Sequence, residues 1–241
     1  QSAIQRVLTR QASNGAFGLW RAESGDFWLD AYASDFLSRA RRQGHEVPEA
    51  AFVRAMDNLR NRLNYASDFE EGGEDVAYAL LVLAREGAAS MGDLRYYADV
   101  KARAFATPLA AAQLGGALAA YGDQRRADRM FARAGELLQR AEQEGPVWRA
   151  DYGTQRRDAA AVLALITEAG SDVISAEMLS TRVSANSNRM STQESAWTLL
   201  AAHALIKNPE SSGMLINGQP SDGPFVQIDG DQSLPDMSIT S

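Results

Sequence analysis

Cysteine is absent from the 241 residues. That excludes disulfides, thiolate metal sites and thiol nucleophiles from this stretch and leaves the redox compartment open. Histidine is nearly absent too, with only His45 and His203. The first is read in an inter-helix turn and the second inside the last helix, both in surface or satisfied-core roles. Positive charge is not in excess: 24 Lys and Arg stand against 31 Asp and Glu, a net charge of −7. A nucleic-acid surface, which carries a basic stripe, is therefore not expected. No apolar run reaches the roughly 18 to 20 residues that cross a bilayer, so membrane contact is not expected of this segment. The opening Gln1-Ser2-Ala3-Ile4 has no basic-then-apolar leader. It reads as an excised fragment or mature segment whose targeting signal lies upstream.

What the sequence does hold is hydrophobic content of 45% against 23% charged, enough apolar material for a substantial core in an ordinary globular chain. A helical phrase recurs at long intervals, each time opening a small or aromatic stripe behind a polar cluster. The copies are Trp28-Leu29-Asp30-Ala31-Tyr32, Glu74-Asp75-Val76-Ala77-Tyr78, Arg157-Asp158-Ala159-Ala160 and Gln193-Glu194-Ser195-Ala196-Trp197. Such recurrence signals stacked supersecondary units, none of which buries its apolar face alone. The basic clusters at Arg39 to Arg42, Arg125-Arg126 with Arg129, and Arg156-Arg157 read as solvated helix faces and dipole complements.

Periodicity and punctuation predict ten helices. The first, near 2–12, stops at Ser13-Asn14-Gly15. The second, from Asp26 to Gln43, aligns Phe27, Tyr32, Phe36 and Leu37, and Gly44 stops it. Pro48 is placed in the first turn of the third, whose stripe is Ala51, Ala55, Leu59 and Leu63. After the acidic loop Asp68-Phe69-Glu70-Glu71-Gly72-Gly73, a helix runs through Val76, Leu80 and Leu83 to Gly87. Ser90 with Asp93 opens a fifth, to about Phe105. Thr107-Pro108 caps 108–121, and Asp123 caps a long amphipathic helix ending near Gly145-Pro146. Helices at 154–169 and 175–184 follow. Ser191 to Glu194 is a capping box opening the last, which ends near Lys207 before Pro209.

Beyond Pro209 short apolar runs surround turn signals: Met214-Leu215-Ile216, Asn217-Gly218 and Phe225-Val226-Gln227-Ile228. Asn-Gly is a strong hairpin turn. Residues 211–241 therefore read as a β tail belonging to an adjoining β-domain, and 1–210 as a helical domain. Helices apolar nearly all round alternate with one-faced amphipathic ones, the pattern of inner and outer helices in an α/α toroid. The fold class is accordingly all-α, an incomplete six-hairpin ring with a short C-terminal β segment, its missing pair expected before Gln1.

Two stretches carry a family likeness. One is Gln11-Ala12-Ser13-Asn14-Gly15-Ala16-Phe17-Gly18-Leu19-Trp20, followed by Gly25-Asp26-Phe27-Trp28-Leu29-Asp30-Ala31-Tyr32 and Gly44 to Pro48. The other is Ser191-Thr192-Gln193-Glu194-Ser195-Ala196-Trp197-Thr198-Leu199-Leu200. Together they closely resemble the thioester-containing helical domain of bacterial alpha-2-macroglobulins. Leu215 to Pro220 looks like the strand by which the chain leaves that domain. The resemblance implies a module of a large periplasmic protease trap with a lipoprotein parent. In that family a Cys-x-Glu-Gln segment forms an internal thioester, and bait cleavage by a protease exposes it to a lysine amine. A thioester survives only where water and amines are kept out. The cysteine-free chain lacks that segment, and Gln193-Glu194 is not its remnant because the order is reversed. The histidine of complement-type relatives would fall near Asp68-Phe69-Glu70, where none stands.

The resemblance implies target proteases and neighbouring β-domains of the same chain as partners, with no enzyme activity, cofactor or metal in these residues. The toroid also serves other functions, so fold alone does not settle the matter. The Gln11 to Phe17 spacing has the look of a triterpene-cyclase repeat, but no Asp-x-Asp-Asp acid is present. A prenyltransferase zinc site needs the missing cysteine. Asp68, Glu70, Glu71, Glu74 and Asp75 invite a glycosidase reading through paired carboxylates, against the plainer one of a solvated loop before a helix N-terminus. Trp28, Tyr32, Tyr78 and Trp197 are read as inner-helix packing before a sugar cleft. A helical protein-binding scaffold is the remaining alternative.

Overall fold

The computed structural model describes residues 1–145, 149, 151–185, 189–208, 215–216, 219–220 and 239–240. The chain forms two compact units, Gln1–Met130 and Phe131–Ser241. Unit 1 holds α1 (Ser2–Leu8), α2 (Phe27–Arg42), α3 (Glu49–Asn64), α4 (Glu74–Arg85), α5 (Met91–Asp99), α6 (Pro108–Ala120) and the first turns of α7 (Gln124–Glu144). Unit 2 takes the rest of α7, then α8 (Gln155–Ala169), α9 (Ala176–Ser184) and α10 (Thr192–Lys207). Three two-residue strands follow, β1 (Leu215–Ile216), β2 (Gln219–Pro220) and β3 (Ile239–Thr240). They pair antiparallel in the order β2-β1-β3, with Leu215 opposite both Pro220 and Thr240. The expected 210/211 boundary, the Asn217-Gly218 turn and the run 225–228 lie outside the described residues.

The helices begin where short polar side chains take up backbone N–H groups that have no intrahelical acceptor. Asp26 accepts from Trp28, Thr107 from Ala110, Thr154 from Arg157 and Ser175 from Met178. At α10 both halves of the capping box form: Ser191 Oγ accepts from the Glu194 N–H, and Glu194 Oε2 from the Ser191 N–H at 2.7 Å. Ser90 accepts from Asp93 N–H as the sequence suggests.

Burial sorts the helices into two kinds. Nine of the 12 residues of α4, ten of the 13 of α6 and 11 of the 15 of α8 are buried. Of α3 only seven of 16 are, of α5 two of nine and of α9 one of nine. That is the alternation of all-round and one-faced helices read from the sequence. Within unit 1, α4 lies between α2 and α6, α3 packs on α2 and α4, and α5 packs on α6. Within unit 2, α8 lies against both α9 and α10. The fold class is thus all-α with a short β segment.

Several expectations differ, two of them because a bridge to a residue outside the helix claims its end. α1 stops at Leu8 instead of residue 12, because Gln11 leaves to form a β-bridge with Phe17 across a turn. α5 stops at Asp99 instead of Phe105, because Phe105 bridges Gly72. Pro48 is the N-cap of α3 and not part of its first turn. Phe36 is 37% exposed on α2, off the face that buries Phe27 and Leu37. α10, expected to be apolar-packed all round, buries only Trp197, Ala201 and Ala204, on the side turned to α8.

Candidate functional site

The residues singled out in the sequence fall into separate constellations. In unit 1, α2 and α4 bring three of the four aromatic candidates together. Trp28 stacks on Tyr32 with ring centroids 5.2 Å apart, and Tyr78 meets both edge-on at 5.9 and 6.4 Å. Below the rings sits Asp35, almost wholly buried. The Tyr78 hydroxyl donates to it at 3.1 Å, Arg39 at 3.0 Å and Arg85 at 2.9 Å. Burial pushes the Asp35 carboxyl up, but the two guanidinium charges outweigh it and hold the group below the usual carboxylate range. Burial, then the Asp35 charge, pushes the Tyr78 phenol well above its ordinary value. The fourth aromatic, Trp197, lies in unit 2, 1% exposed on the buried stripe of α10.

A second carboxylate of α2, Asp30, acts as a hub. Its side chain accepts from the Phe17 N–H at 2.6 Å and from Asn58 Nδ2 at 2.9 Å, with Arg62 at 3.5 Å. Burial outweighs these donors and raises its carboxyl. Asp30 thereby ties the turn after α1 to α2 and α3.

In the acidic loop one of the candidate carboxylates is taken up by an ion pair. Asp68 is bridged by Lys101 at 2.7 Å, and Lys101 also donates to the Phe69 carbonyl at 3.1 Å. The hydrogen bond from Lys101 lowers the Asp68 carboxyl, the opposite of what a general acid needs. Asp68 and Asp75 share an open cleft of about 420 Å³ with Phe27, Arg62, Tyr65 and Phe69. Glu70 and Glu71 are exposed. Both histidines are exposed as well. Among the described residues no three His, Asp or Glu side chains are placed to hold a metal, and no helix is long and apolar enough to cross a membrane.

Unit 2 contains the feature the sequence reading missed. Arg157, expected on a solvated face, is fully buried. Its Nη2 lies 2.7 Å from Asp151 Oδ2, its Nε donates to Asp158 at 2.8 Å, and its Nη1 donates to the Asp151 carbonyl at 3.1 Å. Arg149 closes the ring, reaching Asp158 and Asp151 at 2.5 Å each. The two flanking guanidiniums overcome burial and hold the Asp151 carboxyl low. Gly153 is the residue that admits this arrangement: a Cβ there would lie 2.4 Å from both Arg149 Cζ and Arg157 Nη2. One residue on, Thr154 caps α8, and its hydroxyl donates to Glu194 Oε1 at 2.7 Å, joining the starts of α8 and α10. A signal was present in the sequence. Arg157 lies three, four and seven residues before Ala160, Ala161 and Ala164, on the apolar stripe and not beside it.

These clusters are ion networks that tie one element to another: Asp35 joins α2 to α4, and the Arg157 network sits at the start of α8. Helices fastened in this way make this an all-α domain of the kind found in larger proteins. No family model matches the chain. It is similar to the alpha-2-macroglobulin of Escherichia coli strain K12, 38% identical over 176 residues that make up 68% of this chain and 10% of that protein. The native conformation of the E. coli protein superposes with a TM-score of 0.73 at 34% identity, covering 86% of this chain and 14% of that one. The trypsin-activated E. coli protein gives 0.70 at 33%, covering 85% and 14%. The chain is homologous to the bacterial alpha-2-macroglobulins, protease-trapping proteins of which it spans about a tenth of the length.

Proposed function

We propose that this chain is a non-catalytic helical module of a periplasmic protease trap, corresponding to the thioester-bearing domain but without the thioester segment. The observation that carries the reading is the likeness, at about one-third identity, to an E. coli protein in both its native and its trypsin-activated forms. A module that persists through activation must be stiff, and the buried networks around Asp35 and Arg157 supply that stiffness. The trapping partner is a protease that cuts a bait elsewhere in the longer protein. Covalent capture would need a sulfur from outside these cysteine-free residues. The longer protein containing this chain is expected to co-elute with trypsin on gel filtration after incubation. The 241-residue chain alone is expected neither to retain trypsin nor to gain mass with methylamine. A methylamine adduct on the chain, or trypsin eluting separately from the longer protein, contradicts the proposal.

A further inference from the structure

The loop between Phe17 and Asp26 is braced throughout yet shows its largest side chain to solvent. Trp20 is 80% exposed and its neighbour Leu19 is 53% exposed. The bracing comes from every side. Phe17 N–H is held by buried Asp30 at 2.6 Å, and Gly18 N–H by the Arg10 carbonyl at 3.1 Å. Arg10 Nη1 donates back to the Leu19 carbonyl at 2.5 Å, and Arg62 grips the Gly25 carbonyl with both terminal nitrogens at 3.2 Å. Arg21 closes on Glu23 at 2.7 Å. The loop is folded so tightly that a Cβ at Gly18 would sit 2.0 Å from the Arg21 carbonyl oxygen. Single exposed apolar residues are common, but adjacent leucine and tryptophan side chains on a fixed turn are not explained by chance exposure. Nor is the ring there to stabilise this unit, since most of its surface is wet.

A stiff loop that displays an indole loses little conformational freedom on docking, and tryptophan is the side chain most enriched among dominant interface residues. We propose that Leu19 and Trp20 form a plug for an apolar recess on an adjoining domain of the same longer protein, with an acceptor in the recess for the indole N–H. This rests on the module reading above and on the chain spanning about a tenth of its relatives' length, which leaves neighbouring domains as the nearest partners. Arg21, ion-paired with Glu23, flanks the plug.

Hydroxyl-radical footprinting with mass-spectrometric readout tests this. Trp20 oxidation is compared in the 241-residue chain and in the natural-length protein, with Trp20→Ala beside each. Oxidation several-fold slower in the natural-length protein is expected. Trp20→Ala should leave the melting of the isolated chain unchanged while raising labelling of residues outside it in the longer protein. Equal Trp20 labelling in both forms overturns the plug and leaves the module reading standing. A natural protein no longer than this chain overturns both. Protection that grows with concentration in the isolated chain points to a second copy as occupant and also overturns the proposal.

Discussion

At the scale of single residues the chain depends on carboxylates that are buried and answered. Removing Arg157 leaves Asp151 and Asp158 short of their main counter-charge, so Arg157→Ala is expected to cost about 3 to 5 kcal/mol of unfolding free energy, measured by urea titration. A near-zero change contradicts the burial of that side chain. The pH dependence follows from directions that oppose one another. Asp35 and Asp151 have lowered folded carboxyls, so their contribution is complete above the unfolded value of about 3.9 and is lost as pH falls through the folded values. Asp30 is raised; its contribution is complete below that unfolded value and is lost as pH rises through its folded one. Asp68, Asp99, Asp123 and Glu194 are lowered as well, so stability should fall in acid, and Asp151→Asn should flatten that fall. An unchanged slope in the variant contradicts the assignment. Trp28→Ala and Trp197→Ala should each destabilise by about 3 to 5 kcal/mol, the usual range for an aromatic deleted from a core. Calorimetry showing near-neutral shifts for both contradicts the buried placement of these rings.

Elements show where sequence reading works and where it stops. Helix starts were legible, because Asp26, Ser90, Thr107, Thr154, Ser175 and Ser191 announce themselves by chemistry acting over three residues. Helix ends fixed by distant partners were not. Nothing local tells Gln11 that it will bridge Phe17, or Phe105 that it will bridge Gly72. The polar hubs were half legible. Asp30 and Arg157 stand on apolar stripes, yet an isolated charge there and a basic pair on a surface read alike until the partner is known. Asp151 and Arg149 approach through a turn that no periodicity predicts. The cap of α8 has a double role, so Thr154→Ala should cost about 1 kcal/mol for the lost cap, with a further loss from its bond to Glu194. Combining it with Glu194→Gln should give less than the sum of the two single effects in a double-mutant cycle. Strict additivity would show that the α8 and α10 starts are independent.

On the scale of the molecule, each unit has its own fastening: Asp35 with Arg39 and Arg85 joins α2 to α4 in the first, and Arg157 with Asp151 and Asp158 holds the start of α8 in the second. Family and fold class were legible from two phrases of sequence and the alternation of helix types. The fastening was not, since it depends on pairs such as Asp35 with Arg85 and Thr154 with Glu194, 50 and 40 residues apart. Buried charge networks of this kind hold helices in fixed register, which suits the structural role proposed above. The most direct measurement follows trypsin activity on a large protein substrate and a small chromogenic one, after incubation with the natural-length protein containing this chain. Cleavage of the large substrate is expected to fall sharply while that of the small one persists, because a trapped protease keeps its active site but loses access to bulky substrates. Equal loss on both, or loss on neither, would contradict entrapment.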